Sequence, residues 1–429
     1  MDFSTALSKI IPFAIAVLFF GVIIFIHEFG HFFFAKLFGV KVNEFAIGMG
    51  PTILKKQGKE TKYALRLFPF GGFVSMEGEE EKSEDSRAFC NQKVWKRMII
   101  IAAGAVMNLI LGFIVCIFLV CGSELVGTNE ILQFYEGAVS SQSGLAVGDK
   151  IIEIDGKRVY SDYDISFLMQ RNGSGKYDFL VEREGERISL DDVEFAKRTS
   201  GNFYYNEDCS VYEVSAALKD QGVKDNDIIL SVNGTDVKSA EEMIAQINAD
   251  TDYTYNLAVK RGEEVISLSD VKFATATVFD FSILGEDKNV LNVLASAFGY
   301  SVSMGRMVYL SLFDLLRGQY GLNDLAGPIG TVTVIADVAQ NSIASVDWSS
   351  LFMMMAMITI NIGLFNLLPV PALDGGHLFF MVFEIVFRKP VPQKYESWIH
   401  AAGLVLLLAF MAIISFSDIW KLVSGRGFY

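Results

Sequence analysis

The run His27-Glu28-Phe29-Gly30-His31 sets two imidazoles four residues apart, with a carboxylate beside the first. On a helix, residues i and i+4 share a face, so both rings can reach one metal ion. Glu28 then stands where a general base can take a proton from water activated by that metal. The chain has only four histidines, so a chance HExxH is improbable. The competing reading, a structural pair bonded to nearby carbonyls, is disfavoured by the setting. Ile10 to Ile26 carries no charge and leads directly into HEFGHFFFA, and ionisable groups inside an apolar span are costly enough to imply function.

A catalytic zinc takes three protein ligands and keeps one position open. Cys90, Cys116, Cys121 and Cys209 show no CxxC spacing and no disulfide framework, so a carboxylate or a third histidine must come from elsewhere. Asp374 is the only acidic residue between Asp347 and Glu384. Pro369 and Pro371 before it break a helix, and Gly375-Gly376 after it permits a turn. These features make Asp374 the favoured third ligand and His377 the alternative, with a supporting or interfacial role as the other reading of His377.

The elements that must position these groups are apolar spans. Residues 10–34, 98–121, 351–373 and 399–417 each approach or exceed the roughly 20 residues needed to cross a bilayer. We read the first as a retained signal anchor rather than a cleaved signal peptide, because no small-residue cleavage site follows it. The connection Lys36–Arg97 carries 12 Lys/Arg, which places it in the cytoplasm by the positive-inside rule. Both termini and the region between spans two and three then lie outside, in a multi-pass protein of the cytoplasmic membrane. HExxH and Asp374 fall at the same, cytoplasmic, end of their spans.

Charge is partitioned just as sharply. The whole chain is 52% hydrophobic and carries a net charge of −14, yet residues 122–289 hold 16 Lys/Arg against 32 Asp/Glu. The remainder is close to neutral. Acidity of this order disfavours nucleic-acid partners, and the hydrophobicity excludes intrinsic disorder.

Inside the acidic insert, Asp149–Gly156 aligns with Asp227–Gly234 at an offset of 78 residues. Each copy reads as a strand ending in an Asp-Gly or Asn-Gly turn, then a helix (162–170 and 240–248), then a strand with a charged hairpin (179–189 and 256–267). The pattern resembles the PDZ domain of bacterial membrane proteases, which implies a groove that takes a peptide as an added strand. Domain bounds are 1–121 for the first half of the membrane core and 127–205 and 206–275 for the two PDZ-like domains. An amphipathic linker and the second half of the core occupy 290–429. The linker segment 290–320 either lies on the outer membrane surface or is buried against the spans.

HEFGH in the first span and Asn366-Leu-Leu-Pro-Val-Pro-Ala-Leu-Asp374-Gly-Gly in the third together resemble the site-2 protease family of intramembrane zinc metalloproteases. The RseP-like (regulator of sigma-E protease) branch is nearest, since a PDZ pair interrupts the catalytic core there. The resemblance covers essentially the whole chain. It implies a polytopic α-helical membrane protein with four transmembrane helices, a membrane-associated β-hairpin and an inserted tandem pair of α+β PDZ-like domains. It implies Zn²⁺ held by His27, His31 and Asp374, Glu28 as catalytic base, and Asn366 as a substrate-holding residue. It also implies regulated intramembrane proteolysis of single-span membrane proteins, such as anti-sigma factors or remnant signal peptides, after a first extracytoplasmic cut. Partners are then such substrates, the lipid bilayer, and peptide termini read by the PDZ-like domains.

Two further runs fit that resemblance. Lys62–Met76 reads as two short strands around a Pro-Phe-Gly-Gly turn, similar to the family's membrane hairpin. Gly104-Ala-Val-Met-Asn108 resembles a Gly–Asn motif of the second span, with close helix packing as the equal alternative. A scaffold whose PDZ pair binds client tails, or a metal transporter, would use some of these features. Neither requires Glu28 beside His27.

Overall fold

The computed structural model describes residues 3–79, 81–318 and 326–423. The last two residues of the segment 290–320 lie outside them. The chain forms two compact units, residues 1–126 with 287–429, and residues 127–286.

The first unit opens with helix α1 (Phe3–Leu37), so HExxH sits within a continuous helix. Strands β1 (Val42–Gln57) and β2 (Lys62–Met76) follow, and then helix α2 (Val94–Gly122). The β1–β2 pair is more than a hairpin. Phe45 pairs with both Val74 and Tyr63, while Lys55 pairs with Ala64. Segment 42–47 is therefore the middle ribbon, flanked by 72–76 and by 62–66, with 52–57 outermost. The two runs expected to form a hairpin with each other instead lie on opposite sides of a strand contributed by β1.

In the second unit, β3 (Val126–Phe134), β4 (Lys150–Ile154) and β5 (Lys157–Arg158) lead through helix α3 (Asp162–Asn172) to the hairpin β6 (Lys176–Arg183)–β7 (Glu186–Glu194). Short strands β8 (Lys197–Thr199), β9 (Tyr204–Tyr205) and β10 (Val211–Tyr212) and helix α4 (Ala216–Asp220) begin the second copy. There β11 (Ile228–Val232), β12 (Thr235–Asp236), helix α5 (Ala240–Ala249) and the hairpin β13 (Thr254–Arg261)–β14 (Glu264–Lys272) repeat the plan. The 78-residue offset extends to side chains. Arg183 bridges buried Asp149 as Arg261 bridges buried Asp227, and Tyr177 bonds the Met169 carbonyl as Tyr255 bonds that of Ile247. Strand β15 (Thr275–Thr277) then pairs with β8, and β16 (Phe281–Glu286) joins the first sheet beside β3. The first sheet is thus completed by chain that follows the second copy.

The chain returns to the first unit with helix α6 (Val290–Leu316), which buries Val293, Ala297, Met304 and Met307. Val293, Ala297 and Met304 share a core with Val115 and Cys116 of α2. One side of the helix thus packs against α2, while Leu291, Phe298 and Leu316 stay exposed. Helix α7 (Pro328–Ser345) precedes α8 (Ser349–Leu367), α9 (Asp374–Phe387) and α10 (Gln393–Val423). The start of α7 is held from α10, where buried Asp418 accepts the Gly327 and Gly330 N–H groups.

Among the described residues, four helices are long and apolar enough to span a membrane, Ile10–Leu37, Val94–Gly122, Ser349–Leu367 and Lys394–Trp420. The third is shorter than the apolar run 351–373, because Pro369 and Pro371 end regular structure after Leu367.

Candidate metal centre

Two helices bring the ionisable groups together. Helix α1 supplies His27 and His31, whose Nε2 atoms lie 3.2 Å apart. The first residue of α9 supplies Asp374, whose Oδ2 lies 3.1 Å from His27 Nε2 and 3.3 Å from His31 Nε2. Asp374 Oδ2 is buried with no well-formed hydrogen bond among the described residues, so proximity to the imidazoles alone does not satisfy it. Four ligands on a tetrahedral zinc, at bonds of about 2.0–2.1 Å, stand about 3.3 Å from one another. The three donors have both the chemistry and the spacing of such a site.

Helix α2 supports the triad from behind. The Ile100 carbonyl lies 2.8 Å from His31 Nδ1 and accepts a hydrogen bond from Nδ1–H, leaving a lone pair on Nε2 toward Asp374. The Asn108 amide lies 3.3 Å from His27 Nδ1, and Asn108 Oδ1 is a buried acceptor with no partner among the described residues. Gly104 lies one turn earlier. A Cβ there would sit 2.3 Å from His31 Nε2 and 2.8 Å from His27 Cε1. Gly30 plays the matching part on α1, where a Cβ would meet the Ala103 carbonyl oxygen at 2.5 Å. The Gly–Asn run of α2 therefore serves helix packing and faces the imidazoles as well.

On the other side, the β-sheet reaches Glu28. A Cβ at Gly72 of β2 would lie 2.9 Å from Glu28 Cγ, so the backbone at Gly72 passes close over that side chain. The base of the sheet is fixed by charge. Glu60, in the turn between β1 and β2, takes ion pairs from Arg87 and from Lys36 at the end of α1. Hydrogen bonds from Arg87 and then Lys36 hold its carboxyl down at about 2.

The remaining sequence candidates lie elsewhere. Asn366 is in the last turn of α8, half-buried and outside the triad. His377 is one turn along α9 from Asp374, with Nδ1 3.2 Å from Glu396 Oε1. The sequence reading did not foresee the Ile100 carbonyl or the cover that Gly72 forms over Glu28. The only sequence signal for the latter is the Gly71-Gly72 pair.

A family model described as peptidase family M50 matches residues 15–410. The chain belongs to peptidase family M50. As an M50 member it is a peptide-bond hydrolase, and relatives of nearly the same length share most of its sequence span. A Fusobacterium nucleatum protein named "Putative zinc metalloprotease" is 30% identical over 96% of this chain and 99% of its own length. A Clostridium acetobutylicum protein of the same description is 31% identical over 94% of this chain and 96% of its own. The regulator of sigma-W protease RasP of Bacillus subtilis is 26% identical, covering 95% and 97%.

Proposed function

We propose that this protein is a zinc-dependent intramembrane endopeptidase that cleaves single-span membrane proteins after a first extracytoplasmic cut. The observation that carries the reading is the convergence of His27, His31 and Asp374 on one point, with Glu28 beside it, where a helix of membrane-spanning character meets the start of α9. His27 Nε2, His31 Nε2 and an Asp374 carboxylate oxygen would hold the metal. When bound, Zn²⁺ supplies Lewis acidity for the scissile carbonyl and the attacking water. Glu28 takes the water's proton and passes it to the leaving nitrogen. The Ile100 carbonyl keeps the His31 imidazole in the tautomer that leaves Nε2 free.

A peptide bond inside a helix is shielded by its own hydrogen bonds, so the substrate must be opened locally. Segment 72–76 pairs with 42–47 on one side. Its other edge, with Gly72 close to Glu28, would offer backbone groups to an extended substrate. Asn366 would hold the substrate from α8. The two repeats of the insert would act as PDZ-like domains outside the membrane, reading trimmed ends or excluding untrimmed substrates. The basic loop faces the cytoplasm in this arrangement.

The relatives' printed descriptions as zinc metalloproteases, and of one as a sigma-W regulator protease, agree with this reading. The test is Glu28→Gln in the purified, membrane-reconstituted protein. Bound zinc should match the wild type while cleavage of a model single-span substrate disappears. Cleavage at the wild-type rate would refute the proposal.

A further inference from the structure

Beyond the triad, the described residues hold one more group of side chains with ligand chemistry, His377, Glu396 and His400. Its geometry argues against a second metal. The His377 and His400 rings stack with centroids 3.8 Å apart and planes 14° from parallel. Each nitrogen lone pair lies in its own ring plane, so two stacked rings do not converge on a common ion.

What His400 does hold is backbone. The Ala372 N–H donates to His400 Nδ1 at 3.0 Å. Ala372 stands at φ +75°, a left-handed conformation that is strained for a residue with a Cβ. It lies two residues before Asp374, in the segment that joins α8 to α9. The Leu368, Val370 and Leu373 amides of that segment bond to nearby carbonyls, and the two prolines have none to give. Ala372 alone is anchored to another helix. The approach of α10 is close on both sides of this bond. A Cβ at Gly403 would lie 2.4 Å from Pro371 Cβ, and one at Gly376 would lie 3.0 Å from His400 Cε1. Because Nδ1 accepts, the proton of the neutral ring is on Nε2, an atom buried with no partner among the described residues.

We propose that His400 is a positioning residue for the peptidase reaction, holding Ala372 in its strained conformation and so fixing where the Asp374 carboxylate stands. This rests on the reading of Asp374 as the third zinc ligand. The role belongs to Nδ1, and that makes it separable from bulk. Asparagine places its oxygen near the position of Nδ1, whereas glutamine places its oxygen near that of Nε2.

The test compares His400→Asn, His400→Gln and His400→Ala in the full-length reconstituted protein, with zinc release to a chelator and steady-state cleavage as readouts. His400→Ala and His400→Gln should release zinc about 10- to 100-fold faster and lose kcat by a similar factor with KM little changed. His400→Asn should stay within about threefold of the wild type on both. A merely structural role would lower the melting temperature without ordering the variants in this way. Equal behaviour of the Asn and Gln variants, or wild-type zinc release from His400→Ala, would overturn the proposal. Failure of the underlying reading shows separately, as zinc retained by Asp374→Ala.

Discussion

Gly104→Ala puts the support of the metal centre to a direct test. The added methyl would lie 2.3 Å from His31 Nε2, 2.6 Å from His31 Cε1 and 2.8 Å from His27 Cε1. Non-bonded heavy atoms rest at about 3.5 Å or more, so the rings must retreat by about 1 Å. Zinc sites tolerate about 0.2 Å in ligand position. An error of about 1 Å in a catalytic constellation costs on the order of 100-fold in rate. The fold should survive, since alanine is favoured over glycine within a helix by about 1 kcal/mol. Gly104→Ala should therefore melt close to the wild type in the same detergent. It should also release zinc to a chelator at least tenfold faster and cleave a single-span substrate about 100-fold more slowly. Gly21→Ala on α1, where an added Cβ meets nothing within 4 Å, is the control and should change none of these. Wild-type zinc retention and turnover in Gly104→Ala would refute the claim that α2 shapes the site.

Two predictions concern the surroundings. The Glu60 carboxyl is held down at about 2 by Arg87 and Lys36, so its contribution to stability is complete above its ordinary value near 4.5 and is lost as pH falls toward 2. Glu60→Gln should remove about 1 kcal/mol or less at neutral pH and flatten that acid limb in denaturation profiles; an unchanged limb would show the pairs to be without effect. In the insert, Arg261→Ala strands the fully buried Asp227 at a cost of about 3 kcal/mol. Amide exchange in β11 and β13 should accelerate about 100-fold while the equivalent strands β4 and β6 stay protected. Uniform acceleration across both copies would contradict independent clamps.

Much of the architecture was legible in the chain because it is local. HExxH lies on a helix whatever else happens, since i and i+4 share a face. The apolar runs had the length of spans, and the offset of 78 residues carried over from Asp149 and Asp227 to their arginine partners. The β-sheet was only partly legible. Lys62–Met76 read as a hairpin, but strand pairing is chosen by which backbone edges meet, and β1 placed its own ribbon between the two runs. The segment 290–320 had two readings because its apolar content suits a bilayer surface and a helix groove equally. Packing against α2 covers one side of the helix and leaves Leu291, Phe298 and Leu316 exposed on it.

The sequence by itself determined the chemistry available, namely two imidazoles, a carboxylate base, a lone acidic residue in an apolar stretch, and acidity confined to the insert. Only the tertiary structure decided how these act on one another. Asp374 lies more than 300 residues from His31, and no local rule brings its oxygen within 3.3 Å of that ring. The glycines that allow the approach and the carbonyl that orients His31 leave almost no trace in composition. The same is true of the His400 contact beneath the strained Ala372. Their effect is steric or runs through backbone groups that every residue possesses, and it arises only once the helices are packed.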